Sequence, residues 1–369
     1  MTTRHDLWRP VSGCDAGCLP GPGQTPAVPV ARRLGRLVAV LVMLLAGAAL
    51  AALLPVLPAR ERRAVLRGWA RGTARAFGVR LVARGRLPRR PALVVANHAS
   101  WLDVLALLAV TPARVLAKRE VRRWPLVGPL AVAGGTLFVD RARPRALPAT
   151  VRRIAATLRA GHPVAVFPEG TTWCGAALGC RPGGGFRPAV FQAAVDAGAP
   201  VVPVRIGYHL AAAPTGGPPP APTGGPPPAP AGGLPPAPAG GPTTVGAFLG
   251  AESLGRSVWR VLAARGLTVT VTATAALHPG RDADRRRLAR TAESAVHLVP
   301  PRIATAGVPA SAAAPTPVAI PAAAPMLSLP GAAPVAAPVV PLPPLRTPEG
   351  GIAVRPAREE PAPQVGLAA

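Results

Sequence analysis

An alternation limits what this chain can fold into. Short runs rich in Val, Leu, Ile and Thr lie at residues 79–85, 92–98, 113–118, 135–140, 163–168, 200–206 and 267–277. Helix-like stretches at 100–110, 145–160, 187–198 and 252–265 fall between them. Runs of that length bounded by Gly, Pro or charge read as strands. Strands that alternate with helices bury their apolar faces by building one sheet between layers of helix. The expectation is an α/β domain over 60–300 with a central, mainly parallel or mixed sheet flanked by helices.

The remaining segments read differently. The 51 Pro and 40 Gly gather in 1–35, 211–242 and 301–369. Those parts hold too few large apolar side chains to bury a core, so disorder is expected there. Within the second of them a tandem repeat runs from Ala213 to Pro242. It falls between two strand-like runs and reads as a Pro/Gly insertion of polyproline character. The tail 301–369 is Ala/Pro-rich.

An uncharged apolar run extends from Leu37 to Ala59. It predicts a membrane helix over 36–59, since roughly 20 apolar residues reach across a bilayer; spanning and dipping both remain open. Arg32, Arg33 and Arg36 precede it, and Arg60, Arg62, Arg63, Arg67, Arg71 and Arg75 follow. The heavier positive side belongs in the cytoplasm, so the folded domain is expected on the cytoplasmic side of the cell membrane. Residues 61–78 continue as a basic amphipathic helix. It suits either an anionic membrane lipid surface or an ordinary core.

Net charge is +27, and Lys118 is the only lysine. Such a chain is drawn to polyanions: nucleic acid, anionic lipid or phosphorylated substrates. With 4% aromatic residues it offers no stacking platform, which counts against single-strand nucleic acid as a partner. Cys14, Cys18, Cys174 and Cys180 lack the two-residue spacing of a common zinc knuckle and have no adjacent His. Reduced thiols without a metal are expected, with a metal or a redox pair as the alternative. His162, His209, His278 and His297 have no partner motif and read as structural or exposed.

Chemistry concentrates where strands end. In Asn97-His98-Ala99-Ser100-Trp101-Leu102-Asp103 a strand gives way to a helix, with Ser100 as its N-cap. His98 then sits at the mouth of the sheet, where ligand sites of α/β proteins lie. Asp103 is placed to hold one imidazole nitrogen, leaving the other to take a proton. Asp140-Arg141 ends another strand and Glu169-Gly170-Thr171-Thr172 follows a third. A loop arginine binds phosphate, and a glycine beside hydroxyls can cradle an anion.

In this order these blocks resemble the glycerolipid acyltransferase family, whose best-known members are the 1-acyl-sn-glycerol-3-phosphate acyltransferases. The matching blocks are Asn97 to Asp103, Gly135 to Arg141, Phe167 to Thr172 and Val201 to Val204. The resemblance covers roughly 65–300 and implies the glycerolipid acyltransferase fold. It implies that His98 is the general base and Asp103 its orienting carboxylate. It further implies that Arg141, Glu169, Gly170, Thr171 and Arg187 hold a lysophospholipid acceptor, and that Pro203 lines the acyl side. The donor would be an acyl thioester, acyl-CoA or acyl carrier protein, with no cofactor. The chain departs from the family at Trp173, where a small residue is common, and in the lengthened loop 174–185. It departs again at Pro188 and Ala189, beyond Phe186 and Arg187. These departures flank the expected acceptor site. Other readings are the same chemistry on lyso-ornithine lipid or a glycolipid, a non-catalytic membrane scaffold, and a charge-driven nucleic-acid binder.

Overall fold

Every strand-like run forms a strand. β1 is Arg80–Arg84, β2 Leu93–Ala96, β3 Arg114–Lys118, β4 Leu137–Val139, β5 Val164–Val166, β6 Val201–Leu210 and β7 Leu267–Ala273. They make one seven-stranded sheet in the order β1-β7-β6-β2-β5-β3-β4. β6 and β7 run antiparallel, and every other neighbouring pair is parallel. The sheet is thus the mixed, mainly parallel one expected. β2 and β5 are buried at every position, which is why they read as unbroken apolar runs. In β7 the buried Leu267, Val269, Val271 and Ala273 alternate with threonines, the period of a strand with one well-covered face. The computed structural model describes residues 10–21, 23–88, 90–176, 180–181, 185–211, 241–250 and 252–298. Nearly all of the repeat at 211–242 and the whole tail 301–369 lie outside them.

The expected helices form α3 (Leu102–Val110), α5 (Leu147–Arg159), α6 (Gln192–Ala197) and α7 (Leu254–Ala263). Two more went unread. α4 (Val127–Ala133) carries Gly128 and Pro129, and α8 (Arg285–His297) buries only the small side chains of Ala289, Ala292 and Val296. Neither presents a strong apolar stripe to a sequence reading.

One core layer joins Leu102, Ala106 and Leu107 of α3 and Val261 and Leu262 of α7 to Val202, Val204, Ile206 and Tyr208 of β6. On the opposite face Ile154 and Leu158 of α5 pack with Val164, Val201, Ala193 and the buried side of α8.

The N-terminal part departs from expectation. Residues 10–35 were expected to be disordered, yet they contain a short 3₁₀ turn at Ala16–Cys18 and a buried Val28 whose N–H donates to Ala263 O at 2.9 Å. α1 (Val30–Leu53) begins several residues before the uncharged run. Arg36 lies inside it and donates to Leu262 O and Ala264 O at the end of α7, which fixes the helix start to the domain. α2 (Ala59–Ala76) packs antiparallel to α1: Trp69 Nε1 donates to Met43 O at 2.8 Å, with Gly47 directly beneath the indole. Ala70, Thr73 and Ala74 are buried, so α2 is a core-facing helix with Arg71 and Arg75 outward. The opposite stripe of α1, Leu34, Val38, Leu41, Val42 and Leu45, is exposed. The stretch Val30–Val56 is long and apolar enough to cross a membrane.

Because β2, β4 and β5 run parallel, their C-terminal ends share one edge of the sheet. The loops at 97–101, 140–143 and 167–174 meet there.

Candidate active site

The chain leaves β2 at Asn97, whose side chain continues the sheet. Its amide donates to Ile206 O at 3.0 Å and its carbonyl accepts from Ile206 N at 2.8 Å. This clamp to β6 fixes where His98 emerges. Ser100 then caps the turn into α3: its Oγ accepts from Leu102 N at 3.2 Å, and Asp103 reaches back to accept from Ser100 N at 2.8 Å. That is the logic of a capping box with Asp at its inner position.

Asp103 is fully buried, and four donors converge on it. Oδ2 accepts from Ala99 N at 2.7 Å, from Ser100 N and from His98 Nδ1 at 2.9 Å; Oδ1 accepts from the Tyr208 hydroxyl. A carboxylate only accepts, so the His98–Asp103 bond requires the ring proton on Nδ1. In the neutral imidazole Nε2 then carries the lone pair. The His98 ring stacks on Phe167, centroids 4.0 Å apart at 16°, and keeps 20% of its side chain exposed. Its backbone is held as well: His98 N donates to Glu169 Oε2 at 2.7 Å, and His98 O accepts from Trp173 N at 3.0 Å.

The acceptor-side residues divide into two groups. Arg141 donates from Nη1 to Gly170 O at 2.5 Å. Gly170 has φ 76°, a conformation open to glycine at little cost, and a Cβ there would meet Pro10 at 2.7 Å and Arg187 Nε at 3.5 Å. Arg187 N donates to Pro168 O at 3.0 Å. Burial lowers the Arg141 pKa from its ordinary value, with Glu120 opposing and Arg187 adding to the shift. Lys118, at the end of β3, is lowered first by burial and then by Arg141. Arg141 and Arg187 therefore meet at the Gly170 turn with Lys118 beside Arg141, and these three cations with only Glu120 among them favour a bound anion. Thr171 is half-buried in the same turn.

The second group makes its contacts within the protein. Glu169 is buried and accepts from His98 N, so it braces the base. Its other oxygen, Oε1, has no hydrogen-bond partner among the described residues and lies 3.5 Å from Nε2 of His297. His297, expected to be bland, thus faces the site from the end of α8, beside the ring of Trp173. Pro203 lies inside β6 opposite Val95, with its carbonyl accepting from Thr274 N at 3.0 Å. Strand alternation turns its ring to the face opposite Tyr208.

Sequence reasoning missed Tyr208, Lys118 and His297. Tyr208 had one signal: it is the sole tyrosine, in a run that ends too early if stopped at Ile206. Burial, then the Asp103 charge, raises its pKa well above the ordinary value, so it stays a donor. The four cysteines are free thiols, and all four come together beside Trp173.

The Acyltransferase family matches residues 79–207. The 1-acyl-sn-glycerol-3-phosphate acyltransferase of Neisseria meningitidis is 38% identical over 154 residues, 41% of this chain and 58% of that protein. The lyso-ornithine lipid O-acyltransferase of Pseudomonas aeruginosa is 33% identical over 243 residues, 66% of this chain and 80% of that protein. The chain belongs to the acyltransferase family. It spans less than two thirds of the length of the Neisseria relative. The 1-acyl-sn-glycerophosphate acyltransferase of Thermotoga maritima shares the fold of this family member, with a TM-score of 0.50 at 20% identity over 73% of this chain and 93% of that one. The matched region of the acyltransferase chain contains His98, Asp103, Arg141 and Glu169 but neither the N-terminal cysteine pair nor His297.

Proposed function

We propose that the protein transfers an acyl group from an acyl thioester, on coenzyme A or acyl carrier protein, to the free hydroxyl of 1-acyl-glycerol-3-phosphate, giving phosphatidic acid. The observation that carries this is the His98–Asp103 pair, 2.9 Å apart, with a basic nitrogen directed away from a fully buried carboxylate and no protein nucleophile in the motif. Nε2 takes the proton of the acceptor hydroxyl as its oxygen attacks the thioester carbonyl. The C–S bond then breaks, and the imidazolium returns the proton to the leaving thiolate. Asp103 holds the ring and offsets its transient charge. Lys118, Arg141 and Arg187 serve the acceptor phosphate. The exposed stripe of α1 enters a membrane, and the arginines that follow put the domain on its cytoplasmic face.

The test is acyl transfer from oleoyl-CoA to lysophosphatidic acid by washed membranes carrying the protein, beside His98→Ala. Loss of a general base costs about 10²–10⁴-fold in rate. Equal activity in both would remove His98 from the mechanism. A second reading has its own support, because the lyso-ornithine lipid relative matches over the larger share of both chains. Offering lyso-ornithine lipid in the same assay separates the two: the true acceptor is the one with the higher kcat/KM.

A further inference from the structure

The chain before α1 and the loop after β5 meet at four sulfur atoms. The Sγ atoms of Cys14, Cys18, Cys174 and Cys180 all lie within 4.8 Å of one another, and those of Cys18 and Cys180 are 3.5 Å apart. Four thiolates about 2.3 Å from one tetrahedral ion stand about 3.8 Å from each other. The observed spacing brackets that value. An iron–sulfur cluster would put several atoms between the thiolates and spread them further.

The surroundings are those of a metal site. Cys18 and Cys174 are buried, and Trp173, Ala247 and Leu249 pack around them. Cys174 N donates to Cys14 Sγ at 3.1 Å, a bond that tempers thiolate charge. Gly175, at φ 76°, turns the chain sharply after the third cysteine. Asp15 accepts from Gly17 N at 2.9 Å and shapes the turn that carries the first pair. All four corners are protein sulfur, so no position is left for substrate, which marks a structural site.

We propose that Cys14, Cys18, Cys174 and Cys180 bind one zinc ion. Four Zn–S bonds form, the thiol protons pass to solvent, and no oxidation state changes. The ion joins residues 160 apart in sequence. It pins the segment that runs from Glu169 through Trp173, and both of those residues hold the backbone of His98. The spacing rule for knuckles missed this because it inspects neighbours in sequence, and each half of the site is incomplete without the other.

The experiment uses the full chain purified in detergent under reducing conditions. Elemental analysis should find about one zinc per chain, released in step with modification of four thiols by an organomercurial. The double variant Cys18→Ser/Cys180→Ser should retain less than a tenth of that zinc. Because that variant could misfold, exchange of the wild-type protein into cobalt(II) gives an independent reading: thiolate-to-cobalt absorption in the near ultraviolet and tetrahedral bands in the visible. Purified protein whose thiols react fully while no metal is present, or whose cysteines are oxidised to disulfides, would overturn the proposal. Iron in place of zinc would overturn it as well. None of these outcomes depends on whether the chain transfers acyl groups.

Discussion

The corner at His98 and the cluster at Cys14 differ in how they are assembled. His98 and Asp103 are five residues apart, and a helix cap brings them together. The two cysteine pairs are separated by most of the domain and meet only because the whole sheet is in place. A local pair is held by backbone geometry that its own sequence specifies. A distant cluster must be closed against loop entropy, and a metal supplies the closing energy. The first site leaves one nitrogen open for chemistry; the second is closed on all sides. Trp173 couples them, with its backbone N–H donating to His98 O and its ring beside Cys174.

Substitutions can break this contrast. The largest effect belongs to His98→Ala, at about 10²–10⁴-fold in rate with the fold intact by circular dichroism. Asp103→Asn should come next. An amide replaces one of the two accepting oxygens with an NH₂ donor and removes the charge that offsets the imidazolium, so activity falls by about 10²–10³-fold, and thermal melting shows a lower midpoint. If Asp103→Asn kept full activity, the local corner would not be the working unit. Arg141→Ala should raise the KM for the acceptor about 10- to 100-fold with a smaller change in kcat, because a hydrogen bond to a charged group contributes about 1.5–3 kcal/mol. A fall in kcat alone would place Arg141 elsewhere in the reaction.

Tyr208→Phe should have the smallest effect on rate, a few-fold, and should lower stability by about 1–3 kcal/mol in urea melts near neutral pH. Its pH dependence follows from the raised Tyr208 pKa. Above the ordinary tyrosine value of about 10 the unfolded chain loses this proton while the native state keeps it. The native state then binds more protons, so the stability that Tyr208 contributes is complete below pH ~10 and declines as pH rises beyond it. The gap between wild type and Tyr208→Phe should narrow in the same range.

Seven strand-like runs became seven strands because β-branched residues in short bounded runs report their own conformation. β6 ran on to Leu210 for a reason outside its sequence. Antiparallel pairing with β7 continues to Leu210↔Leu267 and carries Gly207 and His209 in strand form. Without that extension Tyr208 would not face Asp103. α8 was invisible for the opposite reason, since three small buried residues make too faint a stripe, and with it went the position of His297.

The order of residues by itself determined the α/β class, the strand-to-helix junction at Asn97–Asp103 and the pairing of His98 with Asp103, because each rests on interactions within a few residues. Only the tertiary structure decided that Glu169 braces His98, that Tyr208 completes the Asp103 shell, that Lys118 joins Arg141 and Arg187, and that four cysteines share one point. Each of those joins different strands or loops, and strand order across a sheet is set by burying both faces of the whole domain at once.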